Sequence, residues 1–393
     1  AARAPPETAL GCMTFGGQTP RRDAGAMVRQ FLERGHSSLD SARLYQDGEA
    51  DGLVGDILRE LPWELAGAAR ADSKANAFGV RRQANTDEPA DLSAAGIAAQ
   101  CSRAAAAFGA ATFDVFYLHG PDPKHHIEET LAALQQAHKL GVFERFGLSN
   151  FSAQETEWIW HYMSQRGWVQ PTVYQGMYNV ITRRVEEELL PTLRKLGMAF
   201  YAFNPLAGGL LSGKYDTRSL LEGTSGLRMT ELDQRDSKLP EATDQTMNYR
   251  SGRFDKTSLG GQTYQQRYMQ QAQLEAVQGV AEYLAAEHKD PGDMLRAALI
   301  WMYAHSQLDG SLGDKVIIGA SNLSHFEANL AICEAGQRQG HRLELGLLAQ
   351  FDRAWEHCKD VCPGYYKTWS ASGLGKPKGD FEVLPVAMAK REA

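Results

Sequence analysis

Short apolar runs alternate with longer amphipathic stretches along most of this 393-residue chain. Runs with period two read as strands; apolar positions at i, i+3, i+4 and i+7 read as helices. Strands are predicted at Ala9–Thr14, Ser37–Asp40, Ala66–Lys74, Phe113–His119, Val142–Ser149, Thr172–Tyr178, Met198–Phe203 and Lys315–Gly319. Helices are predicted at Asp23–Arg34, Ala50–Leu61, Asp91–Phe108, Ile127–Leu140, Ala153–Arg166, Glu186–Leu196, Gln262–Glu287, Pro291–Ser306 and Leu323–Ala335. Strict alternation of strand and helix implies a parallel sheet. Eight units predict an α/β fold closed as a (β/α)₈ TIM barrel, with an open doubly wound sheet as the alternative.

The rhythm breaks once, between strands seven and eight. Asp216–Gly261 is polar and aperiodic, with Arg228, Asp233, Arg235 and Asp236 among its residues. So long a stretch without periodicity is an insertion, functional or disordered. The barrel is expected to span residues 1–372, with Gly373–Ala393 as a mobile tail. Ala1–Thr8, rich in Ala, Arg and Pro, fits either the remnant of a targeting segment or a disordered terminus.

Composition narrows the classes. A hydrophobic fraction of 43% with 23% charged residues excludes a mainly disordered chain. A net charge of −7 argues against nucleic acid as the main partner. No apolar run reaches the roughly 20 residues of a membrane helix. A soluble, cytoplasmic protein is expected, or an organellar one after loss of a targeting segment. Five scattered cysteines fit a reducing compartment. Cys358 and Cys362, with His357 beside them, read as buried helix thiols; no second Cys/His pair stands at zinc spacing, and no metal is expected.

The polar residues collect at the C-terminal ends of the strands, the rim where barrel active sites lie. Asp40 ends strand two, Tyr45 follows in its loop, Lys74 ends strand three and His119 ends strand four. A free tyrosine titrates near 10, and a neighbouring ammonium lowers that value. Lys74 is the candidate ammonium and Asp40 its partner. His119 is placed to hydrogen-bond a carbonyl oxygen. Such a set polarises a carbonyl and protonates the developing alkoxide, but supplies no electrons, so a hydride donor is required. Ser149, Asn150 and Gln175 are neutral groups suited to a nicotinamide carboxamide.

Four segments carry a family resemblance. Residues 35–45, GHSSLDSARLY, and residues 141–151, GVFERFGLSNF, resemble the aldo-keto reductase signatures. Residues 172–179, TVYQGMYN, and 204–211, NPLAGGLL, resemble the aflatoxin-aldehyde (succinic semialdehyde) reductase branch. The resemblance runs from about Leu10 to about Lys367. It implies reduction of small aldehydes with a nicotinamide cofactor, usually NADPH, NADH not being excluded. It makes Tyr45 the proton donor, tuned by Lys74 and Asp40, and His119 the carbonyl-orienting group. Phe203 matches a nicotinamide-stacking position. Asn204, Leu206, Gly208, Gly213 and Lys214 match the pyrophosphate loop, and Gly319, Ser321, His325 and Asn329 the adenosine end. Arg267 and Lys367 match basic residues near a carboxylate-bearing or dialdehyde substrate. Met13 and Phe15, at or after the end of strand one, are placed either to line the pocket or to pack the rim. A homodimer is also implied.

Gly208–Lys214 satisfies most of a phosphate-loop pattern, yet Tyr215 stands where Ser or Thr should hold Mg²⁺, so a dinucleotide pyrophosphate suits it better. Three features depart from the family pattern. Asp72 alternates to the same side as Lys74, where it raises the lysine, unless a bulge turns it outward. The stretch Gly319–His325 has no Arg or Lys to meet a 2′-phosphate. The Asp216–Gly261 insertion is extra and is read as a flexible flap beside the cofactor. The competing readings are a cofactor-binding regulatory protein of the same fold with little turnover, and a phosphate-binding barrel isomerase or lyase.

Overall fold

A computed structural model of the chain describes residues 3–78, 91–109, 113–222, 254, 259–287, 289–290, 292–338 and 341–367. Most of the insertion, including Arg228, Asp233, Arg235, Asp236 and Arg253, lies outside these residues, as does the 373–393 tail.

Eight parallel strands close in sequence order: β1 Glu7–Gly11, β2 Ser38–Asp40, β3 Arg70–Ala75, β4 Phe113–Leu118, β5 Phe143–Ser149, β6 Pro171–Met177, β7 Ala199–Phe203 and β8 Lys315–Ile318. β1 pairs with β8 through Glu7↔Lys315 to Leu10↔Ile318, so the sheet has no free edge and the open-sheet alternative falls. The helices are α1 Arg21–Glu33, α2 Glu49–Glu60, α3 Trp63–Ala68, α4 Ala94–Phe108, α5 Ile127–Lys139, α6 Ala153–Ser164, α7 Leu189–Leu196, α8 Thr217–Leu221, α9 Leu259–Tyr268, α10 Gln271–Ala286, α11 Asp293–Ala304, α12 Leu323–Gln337 and α13 Leu345–Cys358.

Alternation along the strands divides the core. Ala9, Val115, Tyr117, Val173, Ala199, Tyr201 and Ile317 form one small cluster inside the barrel. Leu10, Leu39, Phe116, Leu118 and Leu148 join the larger cluster between strands and helices. Tyr117 lies beside Gly147 of the neighbouring strand, where an added Cβ would come within 2.3 Å of its ring. Glycine there makes room for an aromatic ring inside the barrel.

Several predicted boundaries shift. Strand three does not begin at Ala66: Pro62 opens the short helix α3, with Glu64 in its first turn. The strand holds only Arg70–Ala75. Strand one begins earlier, at Glu7, because Arg3 donates to the Ser306 carbonyl at 3.0 Å and the Gly310 amide donates to the Ala4 carbonyl at 2.8 Å. From Arg3 onward the N-terminal segment is therefore docked, not disordered. The predicted helix Gln262–Glu287 is two helices. The chain is extended at Gln270, whose side chain caps α10 together with Gln273. α13 packs across α10, with Gln350 donating to the Gly279 carbonyl at 2.8 Å. Cys358, at the end of α13, and Cys362 are buried, and His357 pairs with Glu275 at 2.8 Å.

Candidate active site

The β2 and β3 ends set the first contact. Asp40 and Asp72 are paired in register, which leaves Lys74 one layer nearer the rim. Lys74 is fully buried; its Nζ donates to Asp40 Oδ1 at 2.8 Å, Asp40 Oδ2 at 2.9 Å, the Ser41 carbonyl at 2.7 Å and the Tyr45 hydroxyl at 3.3 Å. A buried ammonium requires such compensation. Burial works against its charge, but Asp40 and Tyr45 more than offset this and hold Lys74 above its ordinary value.

Tyr45 hangs from a tight turn after β2. Gln46 and Asp47, both non-glycine, sit at φ 49° and 56° there. Gln46 Nε2 secures the turn to the Met13 carbonyl at 2.9 Å. The net effect on the phenol differs from the sequence expectation. Lys74 does pull it down, but burial pushes it up further, so Tyr45 titrates above its ordinary value. The phenol is protonated at neutral pH, the form a proton donor needs.

His119 meets Tyr45 edge to face at 5.7 Å and Phe78 at 5.5 Å. Among the described residues its Nδ1 is buried without a hydrogen-bond partner. Burial, with Lys74 and Lys367 nearby, drives the ring well below its ordinary value, so it is a neutral imidazole. A neutral imidazole can donate one N–H to a carbonyl oxygen.

Ser149, Asn150 and Gln175 lie against this set. Asn150, at φ 62°, donates to the His119 carbonyl at 2.7 Å and to Ser149 Oγ at 3.0 Å. Gln175 donates to Asp40 Oδ1 at 2.8 Å. Two of the predicted carboxamide residues thus also brace the tetrad.

Beyond β7, half-buried Phe203 leads into a glycine turn, with Gly208, Gly209 and Gly213 at φ 68°, 102° and 76°. A Cβ on Gly208 would fall 2.6 Å from the Tyr264 ring. Backbone N–H groups free of side chains suit an anion such as pyrophosphate. Leu206 opens this turn and Lys214 follows it, its Nζ 5.2 Å from the Tyr215 ring centroid. Asn204 is engaged within the protein: Tyr264 donates to its Oδ1 at 3.0 Å, and its Nδ2 donates to the Tyr268 hydroxyl at 3.2 Å. After β8, Gly319 and Ser321 lead to α12. Asn322 caps that helix at the His325 amide and contacts His325 Nδ1 at 3.1 Å; Asn329 is buried on it.

Residues 362–367 run back over the rim. The Lys367 amide donates to the Asn150 carbonyl at 2.8 Å, and its Nζ lies 3.9 Å from the Phe78 ring centroid. Burial and the Arg267 charge lower the Lys367 ammonium. Lys367 thus lies near both Arg267, on α9, and His119.

Asp72 is not turned outward. It is 2% exposed, and its Oδ1 accepts the Val115 amide at 3.1 Å. Burial first, then Asp114 and Asp40, push it well above the carboxylate range. The raised Lys74 has Asp40 and Tyr45 as its leading causes.

A buried lysine bonded to both a carboxylate and a phenol, with a neutral imidazole beside them, is an arrangement that can polarise and protonate a carbonyl oxygen. A family model described as Aldo/keto reductase family matches residues 7–339. The chain belongs to the aldo/keto reductase family. Aflatoxin B1 aldehyde reductase member 2 from Mus musculus is 38% identical over 363 residues, covering 92% of this chain and 88% of that protein. Aldo-keto reductase family 7 member A3 from Homo sapiens is 36% identical, covering 93% and 98%. Oxidoreductase sirO from Leptosphaeria maculans is 30% identical, covering 83% and 84%. This aldo/keto reductase is accordingly an oxidoreductase that reduces aldehydes, and its family uses NAD(P)H. Among the described residues no helix is long and apolar enough to cross a membrane.

Sequence reasoning missed the supports of the site: Phe78 against His119, Tyr264 and Tyr268 on Asn204, and the buried Arg43–Asp51 pair. The i, i+4 spacing of Tyr264 and Tyr268 signalled one helix face. Nothing in the sequence said which loop that face covers.

Proposed function

We propose that the chain is an NADPH-dependent aldehyde reductase in which Tyr45 donates the proton. The observation that carries this reading is the Lys74 ammonium held between Asp40 and the Tyr45 hydroxyl. A nicotinamide nucleotide, when bound, would supply the hydride. His119 orients the carbonyl oxygen, and Tyr45 delivers a proton to that oxygen as negative charge develops on it. Lys74 stabilises the phenolate left behind, and Asp40 keeps the ammonium charged. Ser149, Asn150 and Gln175 hold the carboxamide, and Phe203 covers the nicotinamide face. The turn from Leu206 to Lys214 takes the pyrophosphate. Gly319, Ser321, His325 and Asn329 take the adenosine end; preference for NADPH over NADH follows the family, since His325 is the only basic side chain among these four.

Arg267 and Lys367 give the pocket a positive wall. A substrate carboxylate or second carbonyl, as in succinic semialdehyde, complements it. Met13, whose carbonyl holds the Tyr45 turn, is the pocket-wall residue of this reading. Titration of reduced-nucleotide fluorescence with NADPH and NADH, followed by turnover with a panel of aldehydes, tests the reading. Tighter NADPH binding and preferential turnover of carboxylate-bearing aldehydes are expected. Binding of neither nucleotide would overturn it.

A further inference from the structure

Tyr45 sits on a turn that its own residues disfavour. A non-glycine residue in the left-handed region is strained by about 1–2 kcal/mol, and such strain persists only where surrounding contacts over-determine it. The contacts converge on Asp51. This residue lies in the first turn of α2 and is completely buried. Its Oδ1 accepts the Ser41 hydroxyl at 2.5 Å; its Oδ2 accepts the Ser73 hydroxyl at 2.8 Å and Arg43 at 3.2 Å. The same Arg43 nitrogen donates to the Gly48 carbonyl at 3.2 Å, at the far end of the Tyr45 turn. The Arg43 amide donates to the Lys74 carbonyl at 3.1 Å.

Each bonded neighbour adjoins a site residue. Ser41 follows Asp40, and its carbonyl receives Lys74 Nζ. Ser73 precedes Lys74. Arg43 and Gly48 bracket Tyr45. One buried carboxylate thus links the ends of β2 and β3 to the turn, while its own bonds go to Ser41, Ser73 and Arg43 and not to the side chains of Asp40, Tyr45, Lys74 or His119.

We infer that Asp51 is a positioning residue, acting through Ser41, Ser73 and Arg43 to fix the Tyr45 hydroxyl against Lys74. The inference rests on the reading of Tyr45 as proton donor. A pair that only stabilised the fold would not distinguish proton transfer from nucleotide binding.

The test is a double-mutant cycle in the full-length enzyme with NADPH and an aldehyde. Asp51→Asn is expected to lower kcat about 10- to 100-fold while NADPH Kd stays within about threefold, because an angstrom of misplacement at the reacting groups has effects of that size. In a Tyr45→Phe background the same change should alter the residual rate less than about twofold, since coupled residues are non-additive. Ser73→Ala removes one bond only and should show the same pattern at about 3- to 10-fold, which covers the case in which Asp51→Asn fails to fold. Asp51→Asn or Ser73→Ala with wild-type kcat, or an equal loss with and without the Tyr45 hydroxyl, would overturn the inference. If Tyr45→Phe itself keeps full activity, the proton-donor reading fails instead.

Discussion

Two layers of ionisable groups lie inside this barrel, and they solve the same problem differently. At the rim, Lys74 is charged because Asp40 accepts two of its hydrogen bonds and Tyr45 and Ser41 complete the set. One layer below, Asp72 has a backbone amide for a partner and carboxylates as near neighbours, and its acid form is favoured. Arg145 instead pairs with Asp114 through two bonds of 2.7 Å. The difference shows that burial beside like charges favours the neutral form, and that a buried charge marks a place where the protein has built a partner. Only the rim layer can pass charge to a reacting carbonyl.

The comparison is broken most sharply by Lys74→Met. It leaves Asp40 buried without its cation, so stability should fall by about 3–5 kcal/mol in denaturant unfolding, with activity lost as well. Gly208→Ala adds a side chain at φ 68° against Tyr264. It should weaken NADPH binding about tenfold, roughly 1.4 kcal/mol, with the Tyr45 chemistry intact. Arg267→Ala is expected to raise KM for carboxylate-bearing aldehydes several-fold and leave neutral aldehydes unchanged.

The smallest catalytic effect belongs to Asp72→Asn, in the lower layer: kcat within about twofold. Its stability effect carries a sign. The folded protein binds a proton at Asp72 more tightly than the unfolded chain does. Stability is therefore lost as pH rises above the unfolded value of about 3.9, until the folded group ionises. Asparagine does not titrate, so its melting temperature relative to wild type should climb between pH 4 and pH 7. A pH-independent difference would place Asp72 among the ordinary ionised carboxylates.

The sequence disclosed the barrel because eight period-two runs alternate with amphipathic ones, and strand-end position alone gathered Asp40, Lys74 and His119 on one rim. It could not weigh burial against charge, so the pull of Lys74 on Tyr45 was legible and the larger opposing push of burial was not. Strand three was blurred for a local reason: Ala66–Ala69 is apolar while the strand that follows, RADSKA, is mostly polar, and only Pro62 and Glu64 mark the helix. The supports of Tyr45 were hidden because Arg43 and Asp51, eight residues apart, meet only when the turn between them adopts its left-handed conformation.

The central claim is that Tyr45 supplies the proton and does not merely line the pocket. The most direct measurement sets NADPH binding beside aldehyde turnover for wild type and Tyr45→Phe under identical conditions. The account predicts a Kd unchanged within about twofold and a turnover lower by about 10²- to 10⁴-fold, the range of a lost general acid. Turnover of Tyr45→Phe within about threefold of wild type would contradict it.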